Sequence, residues 1–145
     1  MLNPSRCRII AIGKVRKRWI QDGLNIYLKR LPGLTITELR DSTARRESKE
    51  ILTSLKAQET LVVLSEEGET LTSINFANRL NTIHSQKLVF VIGGAEGLTN
   101  EIKDSANWIL SLSNFTFPHE IARLLLVEQL YRSFSILQNT PYHRN

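Results

Sequence analysis

The chain has 145 residues, 41% of them hydrophobic, and carries 19 Lys/Arg against 14 Asp/Glu for a net charge of +5, with a pI of about 9.7. That is the size of one ordinary domain with enough apolar material for a buried core, so residues 1–145 are read as a single unit. No segment approaches the ~20 apolar residues of a spanning helix, the start does not read as a signal peptide, and Cys7, alone in the sequence, excludes an internal disulfide and a cysteine metal site. A cytoplasmic protein with no membrane partner and no metal is expected.

The charge is unevenly spread. Residues 1–60 hold 13 Lys/Arg against 6 Asp/Glu, and residues 61–118 hold 3 against 6. A polyanion met by the N-terminal half is one reading, nucleic acid before membrane; ordinary solvated side chains are the other.

In chain order, Arg8-Ile9-Ile10-Ala11-Ile12-Gly13 reads as a short strand ending at glycine, with Cys7 as a small core residue. Trp19, Ile20, Leu24, Tyr27, Leu28 and Leu31 follow at helical spacing until Pro32-Gly33. Leu34 to Leu39 alternates as a half-buried strand, and Ser42 to Ser54 is a charged surface helix behind a mobile loop, anchored by Ile51, Leu52 and Leu55. Leu61-Val62-Val63-Leu64 is a continuous apolar run, the mark of a strand covered on both faces. Ser65-Glu66-Glu67-Gly68 is expected to turn the chain, and Ser73 to cap a helix bearing Phe76, Ala77, Leu80 and Ile83. Lys87 to Ile92 is another covered strand, Thr99-Asn100-Glu101 starts a short helix, Trp108 to Leu112 is the last strand, and Glu120 to Gln138 the last helix. Strands alternating with helices predict an α/β fold with a mainly parallel sheet.

Three segments can carry chemistry. Gly93-Gly94-Ala95-Glu96-Gly97 follows a strand, and glycines there let backbone approach a ligand or adopt torsions closed to other residues. Its spacing fits neither the dinucleotide fingerprint nor the phosphate loop, so it is either a ligand turn or a plain tight turn. Leu112 to Phe117 holds hydroxyls and aromatics and no charge, which suits an adenine ring as well as a core strand with its exit loop. Glu128 and Arg132 lie at i and i+4 on an otherwise apolar helix, where a pair of charges carries a cost. His119 is a helix cap or an acid–base group. His84 reads as solvated, and His143 has no evident structural role.

Val91-Ile92-Gly93-Gly94-Ala95-Glu96-Gly97-Leu98, Leu112-Ser113 with Thr116-Phe117-Pro118-His119, Glu128-Gln129-Leu130-Tyr131-Arg132 and the terminal Pro141-Tyr142-His143-Arg144 together resemble the ribosomal large subunit methyltransferase H family, a single-domain branch of the SPOUT superfamily. The resemblance runs from Ile9 almost to the end of the chain. It implies helices on both faces of the sheet, a C-terminal trefoil knot over roughly residues 88–145, and a homodimer. It also implies S-adenosyl-L-methionine as cofactor, with S-adenosyl-L-homocysteine as product, and methylation of N3 of a pseudouridine in 23S rRNA of the assembled ribosome. Carried over by residue, cofactor contacts fall on Leu64, Gly93, Leu112, Ser113, Asn114, Phe115, Thr116 and Phe117. Catalytic roles fall on His119, Glu128, Arg132, Tyr142 and His143, and Arg144 falls on RNA. Two departures stand out: a few extra residues before Arg8, and an Arg40–Gln58 segment shorter than the family pattern. From the basic half, Lys14, Arg16, Lys17, Arg18, Arg45 and Arg46 are candidates for rRNA phosphates.

Under this reading Arg132 stabilises the imidate of the target base with Glu128 orienting it, and Tyr142 and His143 reach in from the partner subunit. The rivals are a non-catalytic knotted RNA-binding ribosome-maturation factor, separated by whether the cofactor binds, and a related knotted methyltransferase acting on tRNA, separated by which RNA is labelled.

Overall fold

Among the described residues, five strands form one sheet: β1 (Cys7–Ile12), β2 (Thr35–Leu39), β3 (Glu59–Thr70), β4 (Lys87–Ile92) and β5 (Trp108–Ser111). Their order is β2-β1-β4-β3-β5, and every neighbouring pair runs parallel. Four helices connect these strands, α1 (Arg18–Leu28), α2 (Ala44–Ser54), α3 (Ser73–Thr82) and α4 (Asn100–Ser105), α5 (His119–Leu137) follows β5, and a 3-10 turn at Pro4–Arg6 precedes β1. The structure is a computed structural model that describes residues 2–83 and 86–144. His84 lies outside the described residues.

The continuous apolar runs are explained by cover on both faces. Alternate residues of each strand enter different cores. Cys7, Ile9, Ala11, Val62, Leu88, Phe90 and Ile92 pack with Ile20 and Leu24 of α1, Phe76 and Leu80 of α3, and Leu126, Val127, Leu130 and Phe134 of α5. Ile10, Ile12, Leu61, Val63, Val89 and Val91 pack with Ile51 of α2 and Ile102 of α4. The helices therefore lie on both faces, as expected. Among the described residues, no helix is long and apolar enough to cross a membrane.

Helix starts follow side-chain capping, in which a hydroxyl accepts an amide that has no partner within the helix. Thr43 caps α2 through the Arg46 amide, Thr72 caps α3 through Asn75, and Thr99 caps α4 through Ile102. The cap of α3 is thus Thr72, one residue before Ser73. Ser73 is free to bond Gln129 of α5 at 2.7 Å. The segment before α2 is tied down, because the Ser42 amide donates to Glu47 Oε2 at 2.8 Å and Glu47 is itself buried.

Ser65–Gly68 does not turn the chain. β3 continues to Thr70, and the irregularity is a slip in its ladder with β5, where Leu64 and Glu69 both align with Leu110. The four residues between them bulge out, which strands use to re-aim side chains near sites. Gly68 permits this, since a Cβ there would lie 2.6 Å from the Ile109 carbonyl oxygen and 2.8 Å from the Leu110 carbonyl carbon. Gly68→Ala must push two backbones apart and is expected to lower stability by about 1–3 kcal/mol, an overpacking penalty read from denaturant unfolding. A neutral result would show that the bulge can spread without cost. Burial also pushes the Cys7 thiol up to about 12. The native protein should resist a thiolate-selective reagent at neutral pH and label fully once denatured; rapid native labelling would show that β1 is accessible.

Candidate active site

Parallel strands all finish at one edge of a sheet, and ligands bind outside those ends. Here β4, β3 and β5 are neighbours, so the segments leaving them stand side by side. They enclose a cavity of about 560 Å³, within the ~300–1,000 Å³ of small-molecule sites. Leu64, Gly93, Leu112, Ser113, Phe115, Thr116 and Phe117, all expected at a cofactor, line it, and His119 and Ala122 of the first turn of α5 close one side. Asn114 belongs to the same loop but is exposed and outside the wall.

The loop between β5 and α5 is held by its own hydroxyls. Ser111 Oγ donates to the Ser113 carbonyl at 2.8 Å, and Ser113 Oγ accepts the Phe115 amide at 3.0 Å. That fixes Phe115 on the rim with 78% of its surface exposed. In the glycine turn, the torsional demand falls on Gly97, at φ 73°. Gly93 is required for closeness, because a Cβ there would stand 2.9 Å from Leu98 Cγ.

The bulged Ser65, Glu66 and Glu67 complete the wall. Their composition reads as a turn; the signal for a bulge was a glycine directly after an acidic pair that follows a covered strand. Lys103 also lines the cavity and meets Glu67 at 3.4 Å, a largely solvated pair.

A second cluster forms at the far half of α5. Glu128 Oε1 accepts from Arg132 Nε at 2.8 Å and Nη2 at 2.6 Å, and from the Tyr142 hydroxyl at 3.2 Å. Arg132 Nη1 lies 3.1 Å from His143 Nδ1. Because arginine can only donate, that nitrogen is the acceptor. The Arg132 guanidinium also sits 4.7 Å from the centre of the Tyr142 ring, which packs edge-on against Tyr131. Burial, the Tyr27 hydroxyl and the Glu128 charge raise the Tyr142 pKa well above its ordinary value, so it is a neutral donor at physiological pH. Glu128 keeps Arg132 firmly charged. Four of the five expected catalytic residues thus form one unit within one chain, and Tyr142 and His143 are bound to their own Arg132. His119 is separate, at the cavity wall. Arg132 stands ten residues beyond Ala122 on α5, about 15 Å along the axis at 1.5 Å per residue.

Lys14, Arg16, Lys17, Arg18, Arg45, Arg46 and Arg144 are all exposed. The first four follow β1, and Arg45 and Arg46 open α2 after β2, so six of the seven lie at the strand edge that carries the cavity. Arg144 is in the tail beside the second cluster.

A family model described as "Predicted SPOUT methyltransferase" matches residues 5–143. The chain is 63% identical over 145 residues to "Ribosomal RNA large subunit methyltransferase H" of Prochlorococcus marinus (strain MIT 9211), covering 100% of both chains. It is 64% identical over 143 residues to the protein of the same name from Synechococcus sp. (strain CC9311), covering 99% of each. A probable methylase family protein from Haemophilus influenzae Rd KW20 shares the fold, with a TM-score of 0.61 and 17% identity over all of this chain and 72% of that one. With a cavity at the ends of adjacent parallel strands and relatives matched along their whole length, the chain belongs to the SPOUT methyltransferase family, in the group named for ribosomal RNA large subunit methyltransferase H.

Proposed function

We propose that the protein is a homodimeric S-adenosyl-L-methionine-dependent methyltransferase that methylates N3 of a pseudouridine in 23S rRNA, acting on the assembled ribosome. The observation that carries this reading is the division of labour along α5: a cavity walled by the glycine turn, the uncharged Leu112–Phe117 loop and the acidic bulge of β3 at one end, and a donor cluster built on Arg132 further along. The family's threaded C-terminal knot, over roughly residues 88–145, is part of the same reading, as is a cytoplasmic location.

The cavity suits the cofactor. Leu64, Leu112 and Phe117 offer apolar surface to an adenine ring, Gly93 lets Leu98 close tightly against the wall, and the acidic Glu66 and Glu67 complement a cationic ligand. When bound, the cofactor supplies an electrophilic methyl group. The rest is positioning, which can account for ~7–11 kcal/mol of barrier. Arg132 does not line the cavity of its own chain and stands about 15 Å along α5 from Ala122. A second copy packed along α1 and α5 brings its cluster to that cavity. Trp19 and Ile26, 59% and 53% exposed on α1, and Leu125 and Ile136 of α5, which join neither core, give such a partner an apolar face.

The imide N3 of the target must lose its proton. Arg132, held charged by Glu128, stabilises the imidate that results, and Tyr142 donates a hydrogen bond and orients the base. His119 at the cavity wall and His143 beside Arg132 are the groups left to accept the proton.

Four measurements check this. Gly93→Val should abolish cofactor binding in calorimetry and leave the dimer intact. Arg132→Ala should bind cofactor normally and lose methyl transfer by ~10²–10³-fold, the scale of a lost preorganised donor. Because the tail and Arg132 form one cluster, heterodimers of Gly93→Val with Arg132→Ala should recover one working site, and heterodimers of Arg132→Ala with a 142–145 deletion should recover none. Rescue in the second pairing would place tail and helix in different sites. Methyl-tritiated cofactor offered with free 23S rRNA, tRNA, subunits and ribosomes should label 23S rRNA in ribosomes. Labelled tRNA would contradict the substrate, and wild-type protein that binds no cofactor would favour a maturation factor.

A further inference from the structure

The first turn of α5 uses two charged residues on something other than the cavity. Glu120 Oε1 accepts the backbone amides of Arg16 at 2.8 Å and Lys17 at 3.2 Å. One turn on, Arg123 is 2% exposed; its Nη2 donates to the Gly13 carbonyl at 2.9 Å, and its Nη1 pairs with Glu38 of β2 at 2.5 Å. Gly13 sits at φ 84° where β1 ends. Residues 13–17 are thus gripped from both ends by α5, and the residues just before Glu120 are Phe117, Pro118 and His119 of the cavity wall.

A buried guanidinium costs several kcal/mol unless paired, and an apolar residue would fill the same space in α5 without that cost. The arrangement is economical only if the shape of the loop matters. The loop carries Lys14, Arg16, Lys17 and the start of α1 at Arg18, all exposed. With its amides fixed by Glu120, it presents its cations outward beside the cavity. Although burial opposes ionisation, the Lys17 and Arg16 amides and the Lys17 charge keep the Glu120 carboxyl below its ordinary range, so the acceptor is a carboxylate at physiological pH.

We propose that Glu120 is a positioning residue for the RNA substrate: it holds the Lys14–Arg18 loop in the shape that meets rRNA phosphates, with Arg123 fixing the base of the loop, and so sets the RNA face in register with the cofactor wall. The inference rests on the reading that this loop contacts rRNA.

The test is steady-state kinetics on ribosomes with four proteins: wild type, Glu120→Ala, Glu120→Gln and the double variant Lys17→Ala with Arg18→Ala. Glu120→Ala should raise the ribosome KM by about tenfold, the effect of losing hydrogen bonds to a charged acceptor. Its kcat and its cofactor Kd should stay within about twofold of wild type. Glu120→Gln keeps an acceptor oxygen and should restore most of the affinity. The double variant should raise KM as well. If the double variant raises KM and Glu120→Ala does not, the positioning role is overturned while the RNA-binding loop stands. If the double variant has no effect, the loop does not meet RNA and the inference falls with that reading. If Glu120→Ala lowers cofactor affinity as much as ribosome affinity and Gln does not rescue, Glu120 only supports the cavity, which also overturns the proposal.

Discussion

Parallel pairing is the constraint from which the rest follows. When every strand runs the same way, every strand ends on one edge, and each connection must cross back over a face. The order β2-β1-β4-β3-β5 then decides which ends are neighbours. It places Gly93 and Leu112, at the exits of β4 and β5, beside Leu64 and the bulge of β3, and so assembles a cavity. It also sends the exits of β1 and β2 into the basic segments around Lys17 and Arg46, so cations and cavity share an edge without sharing a wall. The crossing segments cover both faces, which is why β1 and β4 are apolar on alternate residues in both directions.

α5 links these parts. Its first turn closes the cavity with His119 and Ala122 and grips the β1–α1 connection through Glu120 and Arg123. Its middle buries Leu126, Val127, Leu130 and Phe134. The same stretch holds Glu128 and Arg132 on another side, onto which Tyr142 and His143 fold back. One helix thus carries a cavity end and a donor end that its own length keeps apart. The same stretch of chain that fills the core separates the two halves of the chemistry, and association of two copies is the direct way to reunite them.

Much of this was legible in the residues. Continuous apolar runs at Leu61–Leu64 and Lys87–Ile92 identify covered parallel strands, and the uncharged Leu112–Phe117 loop after a strand identifies a wall. Other features were not. Ser65–Gly68 has the composition of a turn, and only the alignment of both Leu64 and Glu69 with Leu110 shows that it is a bulge lining the cavity. Ser73 read as the cap of α3, whereas Thr72 fills that role and Ser73 bonds Gln129 of α5, a partner remote in sequence. Arg123 and Glu120 read as ordinary helix charges, because their partners Gly13, Glu38, Arg16 and Lys17 are remote in sequence. The tail's cluster of Tyr142, His143 and Arg144 read as a contact, but the groups that hold it within the chain, the Arg132 guanidinium over the Tyr142 ring and Glu128 at its hydroxyl, were not visible in local pattern. Local pattern reports periodicity and composition; it is silent on which distant group satisfies a given side chain.

The central claim is that cofactor and donor cluster meet across two chains. A crystal structure with S-adenosyl-L-homocysteine bound tests it most directly. The account predicts ligand density between Gly93 and the Leu112–Phe117 loop, with Arg132 of a second chain facing it across a two-fold interface formed by α1 and α5. Ligand bound elsewhere, or Arg132 of the same chain against the ligand in a monomer, would contradict it.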